Sequence, residues 1–183
     1  MKGKRSSREV QYLSLFETAL GFGGVVSSDK GLAEVFLPFS VEGEAALRNR
    51  IVHFYPSALE ENRLTSQAGL LLGKYFAGER VVFDLPIDLS GFTPFQLAVY
   101  EVVSRIPYGS VLSYREIAEQ IGRARAARGV GSAMAANPLP VIIPCHRVVG
   151  SSGKLTGYSA PGGLVSKKWL LAMEAKVDQQ IRN

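Results

Sequence analysis

The chain is poor in the residues that build metal sites and disulfide frameworks. Its 183 residues include one cysteine and two histidines. One cysteine cannot form an internal disulfide, and with His53 in the other half of the chain too few ligands remain for zinc, which needs three or four. We therefore expect no metal and no other cofactor, and a reducing, cytoplasmic location is favoured over secretion.

Long apolar runs are also missing. No stretch approaches the 18 apolar residues of a membrane-spanning helix, so no membrane segment is expected. Glu9 and Glu17 interrupt the opening segment, which therefore lacks the apolar stretch of a secretion signal. Hydrophobic residues make up 46% of the chain and charged residues 20%, which is ordinary for a globular protein and excludes disordered and collagen-like classes.

Acidic residues are scarce in one half of the chain. Residues 1–91 hold 10 lysines and arginines against 11 aspartates and glutamates, a balance of −1. Residues 92–183 hold 11 against 5, a balance of +6. The basic half is the candidate surface for a polyanion, of which nucleic acid is the commonest; a solvated basic face without a partner is the alternative.

A segment without periodicity separates the two halves. Residues 85–93 include Pro86 and Gly91 and show neither helical nor alternating spacing of apolar residues. This composition predicts a linker, or an extended segment that runs between two domains. We expect an N-terminal domain over residues 1–85 and a C-terminal domain over residues 92–176.

The first half has the patterns of a small α/β module. Two strands are predicted on either side of a turn at residues 28–31, followed by a helix over 66–76 that ends before Gly78 and a short strand over 80–83. No chemical motif stands out here, so the expected role of this half is support.

The second half has mostly helical patterns. Helices are predicted over 94–106, from a capping box at Ser113 and Glu116 through Ile121, and over 125–136. The last two helices, joined by a short connection that contains Gly122, form a candidate helix-turn-helix.

The helix predicted over 125–136 is rich in alanine and glycine. Val130 and Met134 give it one apolar stripe that can face a core. Three small residues at four-residue spacing leave a nearly bare stripe on another face: Ala127, Gly131 and Ala135. A bare stripe allows close approach to another element of the protein or to DNA, and the arginines at 123, 125 and 128 favour DNA.

The lone cysteine follows a run of β-branched residues. Residues 141–143 predict a buried strand that ends just before Cys145, and His146 comes next. A neighbouring histidine can raise the thiolate fraction of a cysteine. Adjacent residues of an extended segment point to opposite sides, so a water molecule or a turn would have to connect the two. An inert buried cysteine is the alternative.

Residues 143–149 (IPCHRVV) resemble the active-site signature of the O6-alkylguanine-DNA alkyltransferases, the methylated-DNA–protein-cysteine methyltransferase family. Further matching motifs lie between about Phe92 and Glu174, at residues 106–109, 113–114, 126–131, 137–138, 157–158, 163–164 and 167–171. The first half matches more loosely. The resemblance implies a mixed α/β fold, with a ribonuclease-H-like sheet and helices in the N-terminal module and a mostly helical C-terminal domain that contains the helix-turn-helix.

The same resemblance implies a reaction and its residues. An alkyl group would pass irreversibly, in a single turnover, from O6 of guanine or less readily O4 of thymine to Cys145. His146 would deprotonate the thiol through a bound water, and Glu174 would orient His146. Asn137 would brace the site, and Tyr114 would donate a proton or hydrogen bond to the leaving guanine.

Binding residues follow from the resemblance as well. The base pocket would be lined by Tyr158, Ser159 and Val148. Arg128 would take the place of the flipped nucleotide in the base stack. The remaining DNA contacts would come from Ala127, Gly131, Arg125 and Tyr114, with the second helix in the minor groove. The implied partner is double-stranded DNA with alkylated bases, bound by a monomer.

One departure from the family pattern concerns the pocket. The loop over residues 159–163 is about two residues longer than the commonest family spacing, which bears on the alkyl groups that the pocket admits. A non-catalytic lesion-binding or regulatory DNA-binding protein is the alternative function, and a cysteine hydrolase is a third. Lesion-binding relatives replace the acceptor cysteine, whereas this chain keeps it.

Overall fold

The computed structural model describes residues 10–182, and residues 1–9, which carry the basic start of the chain, lie outside it. The chain divides after Asp88 into two compact units. Strands and helices occur in both units, so the predicted mixed α/β class is confirmed. Among the described residues, no helix is long and apolar enough to cross a membrane.

A four-stranded sheet forms the first unit. Its strands are β1 (Gln11–Thr18), β2 (Gly21–Ser28), β3 (Gly31–Phe36) and β4 (Ala58–Leu59). The first three pair antiparallel and β4 pairs parallel to β1, which gives the order β3-β2-β1-β4. The predicted turn between β2 and β3 is confirmed. Gly31 has a φ of 148°, and a Cβ there would lie 2.7 Å from the Pro86 backbone, so only glycine fits.

Two helices cover opposite faces of this sheet: α1 (Glu44–Phe54) and α2 (Arg63–Phe76). Ile51 of α1 packs in one cluster with Leu13 and Val26. Gly69 of α2 approaches Phe16. Because side chains alternate along β1, residues 13 and 16 lie on different faces. The helix predicted over 66–76 is confirmed as α2, which begins three residues earlier, at Arg63.

The strand predicted over 80–83 is wrong. Residues 79–86 have no regular secondary structure, although burial alternates along 81–85. The chain pairs with β3 only further on, where Leu32 N donates to Pro86 O (2.8 Å) and Asp88 N donates to Leu32 O (2.7 Å). The alternating pattern indicates which side chains of an extended segment point towards the core, but it does not show whether a partner strand is present to pair with that segment.

The second unit is mostly helical. Its elements are α3 (Pro94–Ser104), β5 (Leu112–Ser113), α4 (Tyr114–Gln120), α5 (Ala127–Ala135), β6 (Val148–Val149) and α6 (Gly163–Arg182). The predicted helices over 94–106 and 125–136 are confirmed with shorter ends. The predicted capping box is also confirmed, since Ser113 Oγ accepts from Glu116 N (3.1 Å) and Glu116 Oε2 accepts from Ser113 N (2.6 Å).

The helices α4 and α5 form the helix-turn-helix. Gly122, with a φ of 69°, ends the first helix, and residues 121–126 connect it to the second. Val130 and Met134 are buried, which confirms the predicted core-facing stripe of α5. The bare stripe has a neighbour within the protein, because a Cβ on Gly131 would lie 3.8 Å from the Tyr114 ring.

Candidate active site

Cys145 opens a short 3₁₀-helix (Cys145–Arg147), and the strand predicted over 141–143 is wrong. The chain turns back on itself there, since Ile143 N donates to Leu139 O and Cys145 N donates to Ile143 O, both at 2.7 Å. Val141 has a φ of 77°. A β-branched residue in that region costs roughly 1–3 kcal/mol, and such strain persists only where the surrounding structure holds it.

Asn137 supplies that hold. Its Oδ1 accepts from Leu139 N (3.0 Å), and its Nδ2 donates to Ile143 O (2.8 Å). The Asn137 amide also lowers the pKa of the Cys145 thiol. Because its hydrogen bonds to Leu139 and Ile143 hold both ends of this turn, Asn137 fixes the backbone conformation just before Cys145.

The Cys145 thiol is buried among groups that favour its ionised form. Burial raises the pKa of the thiol, whereas the Asn137 amide, the Lys167 charge and the Tyr158 hydroxyl lower it in part. Burial also raises the pKa of Tyr158, so this hydroxyl keeps its proton. The resting thiol is protonated, and a thiolate that forms there meets groups that stabilise it.

His146 and Glu174 form a pair whose side chains are fully buried. His146 Nε2 lies 2.9 Å from Glu174 Oε1. Burial lowers the pKa of His146 in spite of the opposing effect of the Glu174 carboxylate, so the imidazole is neutral at neutral pH. Because a carboxylate only accepts hydrogen bonds, Nε2 carries the hydrogen, and the basic lone pair is on Nδ1.

Arg147 completes the surroundings of the Glu174 carboxylate. Its Nη2 lies 2.8 Å from Oε1, its Nε lies 3.0 Å from Oε2, and Gly109 N donates to Oε2 at 3.1 Å. Arg147 Nη1 also donates to Ile106 O (2.7 Å). Burial would raise the pKa of Glu174, but the hydrogen bonds from His146 and Arg147 outweigh it and lower the pKa. Sequence reasoning gave Arg147 no role.

Lys167 is a buried lysine next to the site, and the sequence analysis named it only within the motif at residues 167–171. Its side chain is fully buried, and its Nζ donates to Val148 O (2.6 Å) and Thr156 O (3.1 Å). Burial lowers the pKa of the ammonium group, and the negative charge of a Cys145 thiolate raises it. The burial of Lys167 could not be predicted from the sequence, because the adjacent Lys168 is also a lysine and is exposed.

Three more of the predicted site residues lie in the second unit: Tyr114, Ser159 and Val148. Tyr114 Oη donates to Thr156 O (3.1 Å), and burial raises the pKa of this hydroxyl. Ser159 is exposed, and its Oγ donates to Ala135 O (3.1 Å). The Val148 side chain is fully buried in β6. The backbone carbonyl of Val148 accepts the hydrogen bond from Lys167 described above.

The second unit matches a known family of proteins. A family model described as 6-O-methylguanine DNA methyltransferase, DNA binding domain, matches residues 94–176. A methylated-DNA–protein-cysteine methyltransferase of Salmonella typhimurium is 43% identical over 125 residues, which cover 67% of this chain and 72% of the relative. The chain belongs to the methylated-DNA–protein-cysteine methyltransferase family.

Other members of this family extend the match. The enzyme of that name from Mycolicibacterium paratuberculosis is 54% identical over 105 residues, or 57% of this chain and 62% of the relative's length. A crystal structure of Mycobacterium tuberculosis O6-methylguanine methyltransferase has a TM-score of 0.72 and 36% identity, and covers 91% of this chain and 94% of its own. The M. tuberculosis protein in complex with DNA has a TM-score of 0.73 at 36% identity, with coverage of 91% and 94%. The resemblance predicted from residues 143–149 is confirmed.

In this member of the methyltransferase family, the arginines before and within α5 face solvent. Arg123, Arg125 and Arg128 are exposed, and residues 123–126 line an open depression of about 430 Å³. Ala127 and Gly131 are half-buried. The described residues contain no cluster of three histidine, cysteine, aspartate or glutamate side chains that could hold a metal ion.

Proposed function

We propose that this protein transfers the alkyl group of O6-alkylguanine in double-stranded DNA, and less readily that of O4-alkylthymine, to Sγ of Cys145. The transfer occurs once per molecule, and no cofactor takes part. The observation that carries this proposal is a buried thiol next to groups that favour its anion, followed in the chain by the buried pair of His146 and Glu174.

The first step removes the thiol proton. Consecutive side chains of a 3₁₀-helix point about 120° apart, so Cys145 and His146 diverge and a water molecule is needed to link them. The proton passes from Sγ through this water to Nδ1 of His146. Glu174, ionised and bonded to Nε2, then stabilises the imidazolium.

The second step is displacement at the alkyl carbon. Sγ forms a bond to that carbon as its bond to O6 breaks, and the electron pair of the broken bond remains on the guanine. Tyr114, protonated because burial raises its pKa, donates to the leaving base. Thr156 O, which accepts from Tyr114 at rest, keeps the hydrogen bond from Lys167 when Tyr114 turns away.

The buried position of Cys145 requires the target nucleotide to leave the duplex, since O6 inside a base stack lies out of its reach. In this proposal α5 enters the minor groove, where the small residues Ala127 and Gly131 permit close approach. Exposed Arg128 fills the space in the stack, and Arg125 contacts phosphate. Tyr158 and Ser159 then border the flipped base.

The product limits the protein to one turnover. S-alkylcysteine is a thioether with neither a good leaving group nor a carbonyl that water could attack, and the chain has no second cysteine to accept the group. We propose that the protein acts as a monomer in the cytoplasm, where reducing conditions keep this single thiol available.

The intact mass of the protein tests the function. After mixing with excess duplex that contains O6-methylguanine, the mass should rise by one methylene, located on the Cys145 peptide, and repair should stop at one lesion per protein. Cys145→Ala should bind the duplex without gaining mass. Repair of several lesions per molecule would contradict the mechanism, and binding by the wild type without a mass change would identify a lesion-binding protein.

A further inference from the structure

Ser166 makes a polar contact that none of the proposed steps uses. The residue is 1% exposed and lies in the first turn of α6. Its single hydroxyl hydrogen is shared between two carbonyl oxygens, Pro161 O (2.7 Å from Oγ) and Gly163 O (2.9 Å from Oγ). The bond to Gly163 is local to the helix, whereas the bond to Pro161 reaches back into the loop before it. One buried hydroxyl therefore fastens the loop to α6.

The loop over residues 159–163 has two further attachments. At its start, Ser159 Oγ donates to Ala135 O at the end of α5 (3.1 Å). Inside it, Gly163 N donates to Ala160 O (3.0 Å), which closes a tight turn around Pro161. The loop is therefore held at its start by Ser159, while Ser166 holds Pro161 in its middle.

The loop over residues 159–163 is joined at its start to residues that act on the Cys145 thiol. The loop begins directly after Tyr158, whose hydroxyl is a neighbour of Cys145 Sγ. Its anchor on α5, Ala135, lies two residues before Asn137, whose side chain holds the turn that leads to Cys145. The loop is therefore joined to the chain next to two of the residues that act on the thiol.

We propose that Ser166 is a positioning residue that limits the size of the alkyl group transferred, because it fastens the 159–163 loop beside the thiol. This inference rests on the proposed function. A methyl group fits without movement of the loop. A long group such as butyl requires the loop to move outward, and this movement breaks the hydrogen bond between Ser166 and Pro161.

The size of the effect follows from that one bond. A typical intramolecular hydrogen bond contributes enough to change an equilibrium by roughly two- to twelvefold. Removing the Ser166 hydroxyl should therefore raise butyl transfer relative to methyl transfer by about fivefold. Ser166→Ala deletes only the hydroxyl oxygen and its hydrogen, and alanine is a good helix former, so α6 is retained.

The test compares single-turnover transfer rates from duplexes with O6-methylguanine and O6-butylguanine. Ser166→Ala should raise the butyl-to-methyl ratio about fivefold and speed amide hydrogen exchange at Gly163. Ser152→Ala, at an exposed position of the preceding segment, should leave both at wild-type values.

Two results would overturn the inference. Equal losses of both rates in Ser166→Ala would assign the hydroxyl to fold stability alone. An unchanged ratio with faster exchange at Gly163 would show that the loop does not restrict the alkyl group. Failure of the wild type to transfer methyl would instead contradict the proposed function, and this inference with it.

Discussion

Lys167 places a positive charge in the interior beside a group that becomes negative during the proposed reaction. Removing an ammonium group from water costs several kcal/mol unless partners compensate, and two backbone carbonyls do so here. A Cys145 thiolate raises the pKa of Lys167, and the charge of Lys167 lowers the pKa of Cys145. The two groups are therefore coupled, and each favours the ionised form of the other.

Lys167→Met tests this coupling. Methionine fills a similar volume without charge, so the pH midpoint of the methyl-transfer rate should move to higher pH by about one unit, with roughly tenfold slower transfer at neutral pH. The measurement is the single-turnover rate across pH. Lys168→Met, at the exposed neighbouring position, serves as the control and should keep the wild-type midpoint. An unchanged pH midpoint of the transfer rate in Lys167→Met would contradict an electrostatic role for Lys167.

At the scale of elements, α5 combines a buried stripe with an arginine-bearing face. Val130 and Met134 hold it to the unit, while Arg128 extends into solvent. In the proposed function Arg128 only keeps the flipped nucleotide outside the stack. It should therefore matter for a base inside a duplex and have little effect on a free base.

Arg128→Ala should slow methyl transfer from duplex DNA by at least tenfold, while transfer from free O6-methylguanine should change by less than about twofold. The physical reason is that unstacking costs a few kcal/mol in a duplex and nothing for the free base. Single-turnover rates on both substrates measure the difference. Equal losses on the two substrates would exclude this role.

The elements also differ in how far the sequence predicts them. α3 was predictable from the helical spacing of its apolar residues, and α4 from the capping box of Ser113 and Glu116, because both signals are local. The strand predicted over 141–143 was wrong because the turn there depends on Asn137, whose two hydrogen bonds hold a conformation that valine does not favour. Cys145 was identifiable from its motif, but the burial of Lys167 follows from long-range packing.

At the scale of the whole molecule, the buried pair of His146 and Glu174 makes stability depend on pH. The pKa of His146 is lowered in the fold, so the unfolded chain takes up a proton near pH 6.5 while the folded one does not. Stability therefore falls as pH drops below about 6.5. The lowered pKa of Glu174 adds a second loss below about pH 4.3, where the unfolded carboxyl becomes protonated first.

Urea unfolding followed by the fluorescence of Trp169, the single tryptophan, measures this dependence. The free energy of unfolding should decrease by about 1.4 kcal/mol for each pH unit between the two His146 pKa values. His146→Gln should be less stable at neutral pH and should show a flat profile between pH 6.5 and the onset of the Glu174 loss. A wild-type profile that is flat from pH 7.5 to 5 would contradict a neutral buried His146.

The partners in the His146 and Glu174 pair stand 28 positions apart in the chain. During synthesis Cys145 and His146 are therefore made well before Glu174, the carboxylate that orients His146 in the proposed mechanism. The helix-turn-helix, which ends at Ala135, is likewise synthesised before this pair is complete. In the proposed function, full transfer competence therefore requires α6, which supplies both Lys167 and Glu174.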